Sequence, residues 1–337
     1  MKLSAKALHY NPVRNIECTI FAGVKILDMA LLTVGSVAFD AIETPFGKTD
    51  KIIGGAGTYI AIAASFYDNE QNIVSVVGED FPQEMLDQLS ARKVNLQGLQ
   101  IKAGEKTFFW SGRYHNDMNS RDTLVTELNV LEHFDPIIPP SYQGVDYLML
   151  GNLSPQVQKL VIERLETRPK LIAMDTMNFW MDIALEPLKE TISMVDLLII
   201  NDEEARQLSG EYSLVKASKI IREMGPKYLI IKKGEHGALL FHHNKMFYAP
   251  ALPLEEVFDP TGAGDTFAGG FMGYIASTDD TSFENMKRAI INGSALASFC
   301  VEEFGTTRLM NITKKDLQER IEEFVALTNF EMEQVIG

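Results

Sequence analysis

Short apolar runs rich in β-branched residues alternate with amphipathic stretches along most of this chain, beginning near residue 30. Such alternation predicts βαβ units around a mostly parallel sheet, and so an α/β fold. The strand patterns fall at Leu31 to Val37, Asn72 to Val77, Tyr147 to Leu150, Leu171 to Asp175, Leu197 to Ile200, Tyr228 to Lys232 and Ala238 to Phe241. Helical patterns lie between and after them, at 57–68, 82–92, 155–167, 202–209, 213–224, 265–277, 284–303 and 314–327. No internal repeat or low-complexity linker interrupts the series.

Two segments break the alternation. Residues 106–128, KTFFWSGRYHNDMNSRDTLVTEL, read as two strands joined by a polar turn at HNDMNS, and residues 39–55 are also strand-like and poor in helix signals. Together they predict a small antiparallel sheet beside the main domain. Period two in the first arm places Phe108, Trp110 and Tyr114 on one face and Phe109, Ser111 and Arg113 on the other. Such an aromatic face is covered either by the protein itself, its own domain or a second subunit, or by the ring of a substrate.

Composition narrows the classes of function. The 337 residues are 46% hydrophobic and 23% charged, enough for one large α/β domain with an appendage or for two domains. No apolar run approaches the roughly 20 residues of a membrane helix. A net charge of −15 argues against a nucleic-acid partner, which would need clustered Lys and Arg. The two cysteines, Cys18 and Cys300, lie far apart and without metal-ligand spacing, which fits a reducing compartment and makes the cytoplasm the expected location. The apolar stretch near the N-terminus is interrupted by Lys25 and Asp28 and lacks a cleavage site, so residues 1–28 are expected to be an extension outside the fold rather than a signal peptide. The folded domain is expected over 29–330, with its lid strands within about 39–55 and 106–128 and a tail at 331–337.

The chemistry concentrates at residues 257–276, VFDPTGAGDTFAGGFMGYIA. Asp259, Pro260 and Thr261 turn the chain, Gly262, Ala263 and Gly264 form a flexible loop, and a helix starts near Asp265. Its free N–H groups and positive dipole end make an anion site, although a carboxylate there could equally serve as a cap. If the anion is a phosphoryl group in transfer, the amides stabilise its charge while Asp265 takes the proton of the attacking hydroxyl. Gly269, Gly270 and Gly273 inside the same helix forgo about 3 kcal/mol of helix propensity, so another element must approach closely.

The stretch DPTGAGDTFAGGF resembles the C-terminal signature of the ribokinase, or PfkB, carbohydrate kinases, and other landmarks follow in order from about residue 31 to 328. The resemblance implies a three-layer ribokinase-like α/β fold with a small β-sheet lid, Asp265 as catalytic base, and Gly262, Ala263 and Gly264 as anion hole. It implies substrate contacts from Asp40, at the end of GSVAFD, and from Gly54 and Gly55 in IIGGAGTY. Tyr59 stands where many sugar kinases of the family have an asparagine, which departs from a ribokinase-like specificity. In NDEEARQLSG, Asn201 and Glu204 fit an Asn-x-x-Glu element whose carboxylate orders the water of Mg2+; read alone, the same residues are a helix cap. Lys232 and Gly234 in IIKKGEHGALLF border the nucleotide, with a plain surface lysine as the other reading of Lys232. Asp175 falls near the phosphates, although Met177 replaces the asparagine expected there and Asn178 is its substitute. Asn152 is either a substrate contact or a turn residue. A monovalent cation such as K+ near Asp259 and Thr261, and a homodimer formed through the lid, are further implications.

Rival readings find less support. GGAGTY does not complete a dinucleotide fingerprint, no Gly-x-x-x-x-Gly-Lys-Ser/Thr occurs, and the six histidines show no ligand spacing. The expected function is an ATP- and Mg2+-dependent kinase of a small sugar or polyol, with a nucleoside kinase as the alternative because Tyr59 and the Phe108, Trp110, Tyr114 face suit a base. A nucleotide-binding protein that has lost the chemistry is the alternative of another class. A phosphosugar would call for more lid cations than Arg113 and Arg121.

Overall fold

A computed structural model describes residues 29–329; the extension expected at 1–28 and the tail at 331–337 lie outside the described residues. In chain order the elements are β1 (Ala30–Val34), β2 (Ala38–Thr44), β3 (Gly47–Lys48), β4 (Ile52–Gly54), α1 (Ala56–Ala64), β5 (Glu70–Gly78), α2 (Gln83–Ala91), β6 (Val94–Lys102), β7 (Phe109–Tyr114) and β8 (Arg121–Glu127). There follow β9 (Tyr147–Leu150), α3 (Pro155–Arg164), β10 (Leu171–Asp175), α4 (Asn178–Ile183), α5 (Leu185–Ile192), β11 (Leu197–Asn201), α6 (Asp202–Ser209) and α7 (Leu214–Glu223). The chain closes with β12 (Tyr228–Lys232), β13 (Ala238–His242), β14 (Lys245–Ala249), α8 (Ala263–Thr278), α9 (Phe283–Cys300), α10 (Thr307–Asn311) and α11 (Lys314–Thr328).

Nine strands form the central sheet in the order β14-β13-β12-β11-β10-β9-β1-β5-β6, and within it only β13 runs against its neighbours. Alternate residues feed two different cores. Leu32, Leu148, Ile172, Leu198 and Leu229 pack beneath Val161 of α3, Ile192 of α5 and Ile221 of α7. Their neighbours Leu31, Tyr147, Leu171, Leu197 and Ile230 pack under Ile60 of α1, Phe271 of α8 and Ile290 of α9. Burial on both faces explains why these strands read as unbroken apolar runs. Among the described residues no helix is long and apolar enough to cross a membrane.

The glycines of α8 answer to two neighbouring helices. A Cβ at Gly269 would stand 2.3 Å from the Ile60 carbonyl oxygen, and one at Gly273 would stand 2.9 Å from the Cα of Ala64, so α1 lies directly against α8. On the other side a Cβ at Gly270 would come 3.0 Å from the Cα of Gly293 in α9. The lost helix propensity is exchanged for backbone-to-backbone packing that holds the start of α8 in place.

The lid is a five-stranded sheet with the path β3-β2-β7-β8, and β4 pairs with β2. It differs from the antiparallel sheet expected from sequence, because β2 and β7 are parallel. The reason is topological: β1 leads into β2 and β6 leads into β7, and β1 and β6 run the same way in the central sheet. Both chains therefore leave its C-terminal edge in one direction.

Candidate active site

The start of α8 lies beside the C-terminal edge of the sheet, under the lid. Gly262 is the residue before the helix and has φ +75°, a left-handed conformation suited to glycine. A Cβ there would also strike the Tyr59 ring at 2.4 Å. The helix begins at Ala263, two residues earlier than the pattern suggested, so Asp265 occupies its first turn. The Ala263 N–H donates to the Pro260 carbonyl at 3.2 Å and the Thr266 N–H to that of Gly262 at 2.8 Å. Of the three amides expected to bind an anion, that of Ala263 is thus engaged. Those of Gly262, Gly264 and Asp265 have no partner among the described residues.

Asp265 itself accepts no hydrogen bond among the described residues. Burial, and then the charge of Asp175, push its pKa up to about 7 against the pull of Lys232 and Arg121. Asp40 behaves alike: burial first, then Asp259, push its carboxyl up to about 7, while the Gly55 backbone draws it down. Gly54 makes room for that carboxylate, since a Cβ there would stand 1.8 Å from Asp40 Oδ2. Gly55, with φ +91°, precedes α1, where Ser36 ties the end of β1 to the helix by accepting the N–H of Ala56 at 3.0 Å and that of Gly57 at 2.8 Å.

At the end of β11, Asn201 and Glu204 form a true capping box: Glu204 Oε2 accepts the Asn201 N–H at 2.7 Å and Asn201 Oδ1 accepts the Glu204 N–H at 2.8 Å. The cap does not exhaust the carboxylate. Glu204 is buried, and burial and then Asp175 push it up to about 7, with Lys232 opposing. Lys232 is not a surface lysine, because its Nζ lies 3.1 Å from Asp175 Oδ2 and its side chain is 17% exposed. Burial alone would lower its pKa, but Asp175, Glu204 and Asp265 together raise it. A Cβ at Gly264 would stand 2.9 Å from Lys232 Nζ, so glycine leaves that side of the ammonium open for an anionic oxygen. This oxygen-rich set suits a hard ion that keeps part of its water, with Glu204 as the residue to hold it.

Other expected residues have different places. Tyr59 is 1% exposed and packed under Gly262, so its ring has no open face for a base. Asn152 Oδ1 accepts the Trp180 indole N–H at 2.9 Å, and its amide nitrogen meets Met177 Sδ at 3.0 Å. Asn178 turns to Gln207 instead of Asp175. Asp259 Oδ1 accepts the Thr261 N–H and Oδ2 the Gly305 N–H, each at 2.9 Å, which ties the loop to the segment after α9. Among the described residues no group of three or more His, Cys, Asp or Glu is placed to hold a metal.

The lid supplies what the sequence did not reveal. Tyr114 OH accepts the Thr261 hydroxyl at 3.2 Å, and a Cβ at Gly234, in the β12–β13 connection, would meet Asn119 Oδ1 at 2.5 Å. One hairpin therefore touches both halves of the site. Arg121, on that hairpin, pulls down the pKa of Asp265 and of Glu204. Its only sequence signal was a positive charge in a segment short of them.

A half-buried carboxylate free of hydrogen bonds, beside free amides, faced by a lysine and covered by a lid, has the parts needed to pass a phosphoryl group to a hydroxyl: the molecule is a kinase of the ribokinase fold. Residues 26–313 match the family described as pfkB family carbohydrate kinase, and the chain belongs to it. It is 32% identical over 248 residues to a cytidine kinase of Thermococcus kodakarensis, covering 72% of this chain and 87% of that protein. It is 27% identical over 322 residues to a nucleoside kinase of Methanothermobacter thermautotrophicus, covering 90% and 98%. Among solved structures, the nucleoside kinase of Methanocaldococcus jannaschii superposes with a TM-score of 0.71 at 22% identity, covering 88% of this chain and 99% of that one.

Proposed function

We propose that this kinase transfers the γ-phosphoryl group of ATP to a ribose hydroxyl of a nucleoside. Asp265 carries the reading as a phosphotransferase: it is half-buried, it accepts no hydrogen bond among the described residues, and it adjoins free amides in the turn that starts α8. Asp40 holds and orients the acceptor hydroxyls from the lid side, and Asp265 takes the proton of the attacking one. The amides of Gly262, Gly264 and Asp265 stabilise negative charge in transfer, with Lys232 beside them. The lid excludes water that would compete as acceptor. When bound, ATP supplies the phosphoryl group, and Mg2+, held through water by Glu204, supplies positive charge at the phosphates. A monovalent ion beside Asp259 and Thr261 is proposed from the family resemblance alone.

The choice of a nucleoside over a free sugar or polyol rests on the relatives named cytidine kinase and nucleoside kinase, at 32% and 27% identity. A relative named 2-dehydro-3-deoxygluconokinase, from Thermoproteus tenax, stands at 23%. The test is ATP consumption with Mg2+ against a panel of nucleosides, sugars and polyols, run beside Asp265→Asn. Turnover of a nucleoside that drops about 10²- to 10⁴-fold in the variant is expected. Near wild-type turnover by Asp265→Asn refutes the mechanism, and turnover of sugars alone refutes the substrate.

We also propose a homodimer through the lid. The edge strand β8 is exposed throughout, and Leu124, Val125 and Leu128 are each more than 40% exposed on or beside it.

A further inference from the structure

The lid's inner face holds one aromatic side chain whose orientation is set by a neighbouring glycine. Asp40 of β2 and Trp110 of β7 are register partners, so their side chains leave the sheet on the same side. Tyr114, four residues on, shares that side and reaches the Thr261 hydroxyl in the loop before α8. Trp110 therefore faces the cleft that holds Asp40 and Asp265.

Its indole does not stand away from the strand. A Cβ at Gly112 would come 2.1 Å from Trp110 Cη2, 2.3 Å from Cζ2 and 3.0 Å from Cζ3, so the ring occupies the space that any side chain at 112 would fill. The register of β7 against β8 shifts between Ser111 and Gly112, which sets Thr123 opposite Gly112. Thr123 Oγ1 accepts the indole N–H at 3.3 Å. The Arg121 guanidinium lies over the ring, 5.8 Å from its centroid. Glycine beneath, threonine at one edge and arginine over the ring hold the indole along the strand, partly exposed. Of the other aromatic candidates, Tyr59 is 1% exposed and Tyr114 is 6% exposed, and Phe108, half-buried, lies just before β7.

We propose that Trp110 is the platform on which the nucleobase of the acceptor stacks, and that Gly112 is a specificity-determining position because it lets the indole lie flat. The inference rests on the nucleoside reading and deepens it. A ribose held at Asp40 carries its base toward the neighbouring strand, where a planar heteroaromatic ring meets a planar indole. A free sugar or polyol has no flat group to use the platform. Stacking accepts purines and pyrimidines alike, so the platform selects for a base without choosing among bases.

Cytidine is the probe, with ATP and Mg2+ as co-substrates. Trp110→Ala and Gly112→Ala should each raise the KM for cytidine about tenfold or more, the loss that removing an aromatic partner brings. Trp110→Phe should retain most of the affinity, and the KM for ATP should stay constant in all three, which a general disturbance of the lid would not leave. The protein has two tryptophans, Trp110 and Trp180, so their emission separates the roles. Cytidine should quench the fluorescence of Trp180→Phe, where Trp110 alone emits, and leave that of Trp110→Phe unchanged. An unchanged cytidine KM in Trp110→Ala, or quenching that persists in Trp110→Phe, overturns the inference while the nucleoside reading survives. Failure of the unmodified protein to phosphorylate any nucleoside overturns both.

Discussion

Gly54→Ala tests the acceptor site with one methyl group. The new carbon would stand 1.8 Å from Asp40 Oδ2 and 2.4 Å from its Cγ. Gly54 is absent from the glycines with positive φ, so alanine suits the backbone and the clash is purely between side chains. Ordinary contact begins near 3.4 Å, which obliges the carboxylate oxygen to retreat by about 1.6 Å. Asp40 is 5% exposed and already opposed by the charges of Asp259 and Asp265, so retreat takes it off its position and not into water. Misplacing a positioning group by about 1 Å costs on the order of 10²-fold in rate, or roughly 2.7 kcal/mol. The expected result is a fall of about that size in kcat/KM for the acceptor, with the KM for ATP unchanged. Asp40→Ala supplies the second arm of a double-mutant cycle: once the carboxylate is gone, Gly54→Ala should cost little more. Steady-state kinetics of the three variants decides the matter. The reasoning is refuted if Gly54→Ala keeps its kcat/KM within about threefold of the parent, or if the two losses multiply in the double variant.

Two further predictions follow from charge and exposure. As the proposed base, Asp265 would work only when ionised, and burial with the Asp175 charge pushes its pKa up to about 7, so kcat/KM should fall about tenfold per pH unit below that value. Lys232→Met removes a cation that holds this pKa down, and should move the acid limb to higher pH; a limb at the ordinary carboxylate range, or one that stays put in the variant, contradicts the assignment. For the lid contact, sedimentation equilibrium should give a dimer for the parent and a monomer for Leu124→Asp, and a monomeric parent removes the proposal.

How much of this could be read from the sequence depended on the range of the interactions involved. β9, β10 and β12 fall at the positions their apolar runs predicted, because both faces of each are buried and every residue carries the signal. β6, VNLQGLQIK, was missed: it is an edge strand with mixed exposure, and its Gly98 owes its place to the Ile73 carbonyl on β5 and to the Tyr142 ring, 44 residues away. β14 is a second edge strand with mostly exposed residues, and α4 and α10, of six and five residues, are too short to show a period. The same division runs through the site. Gly262, Gly264, Asp265, Asn201 and Glu204 announce themselves because loop, cap and helix start are local. The Asp175–Lys232 pair spans 57 residues and the Tyr114–Thr261 bond 147, and no local pattern encodes either. Tyr59 was misread for the same reason, since what covers its ring is Gly262.

These long-range contacts also explain how an acidic chain can hold a polyanion. With a net charge of −15, the protein's overall field opposes a triphosphate, so attraction must be made locally. Asp175, Glu204 and Asp265 place three carboxyls close together, the first two buried and the third half-buried, and Lys232 answers them from the sheet. Amides at the start of α8 add partial positive charge without a counter-ion. The remaining cation, Arg121, belongs to the hairpin that carries Tyr114 to Thr261 and Asn119 to Gly234. Arg121 forms no ion pair among the described residues, yet its charge reaches Asp265 and Glu204. The hairpin therefore adds its positive charge to the local balance where it also covers the site.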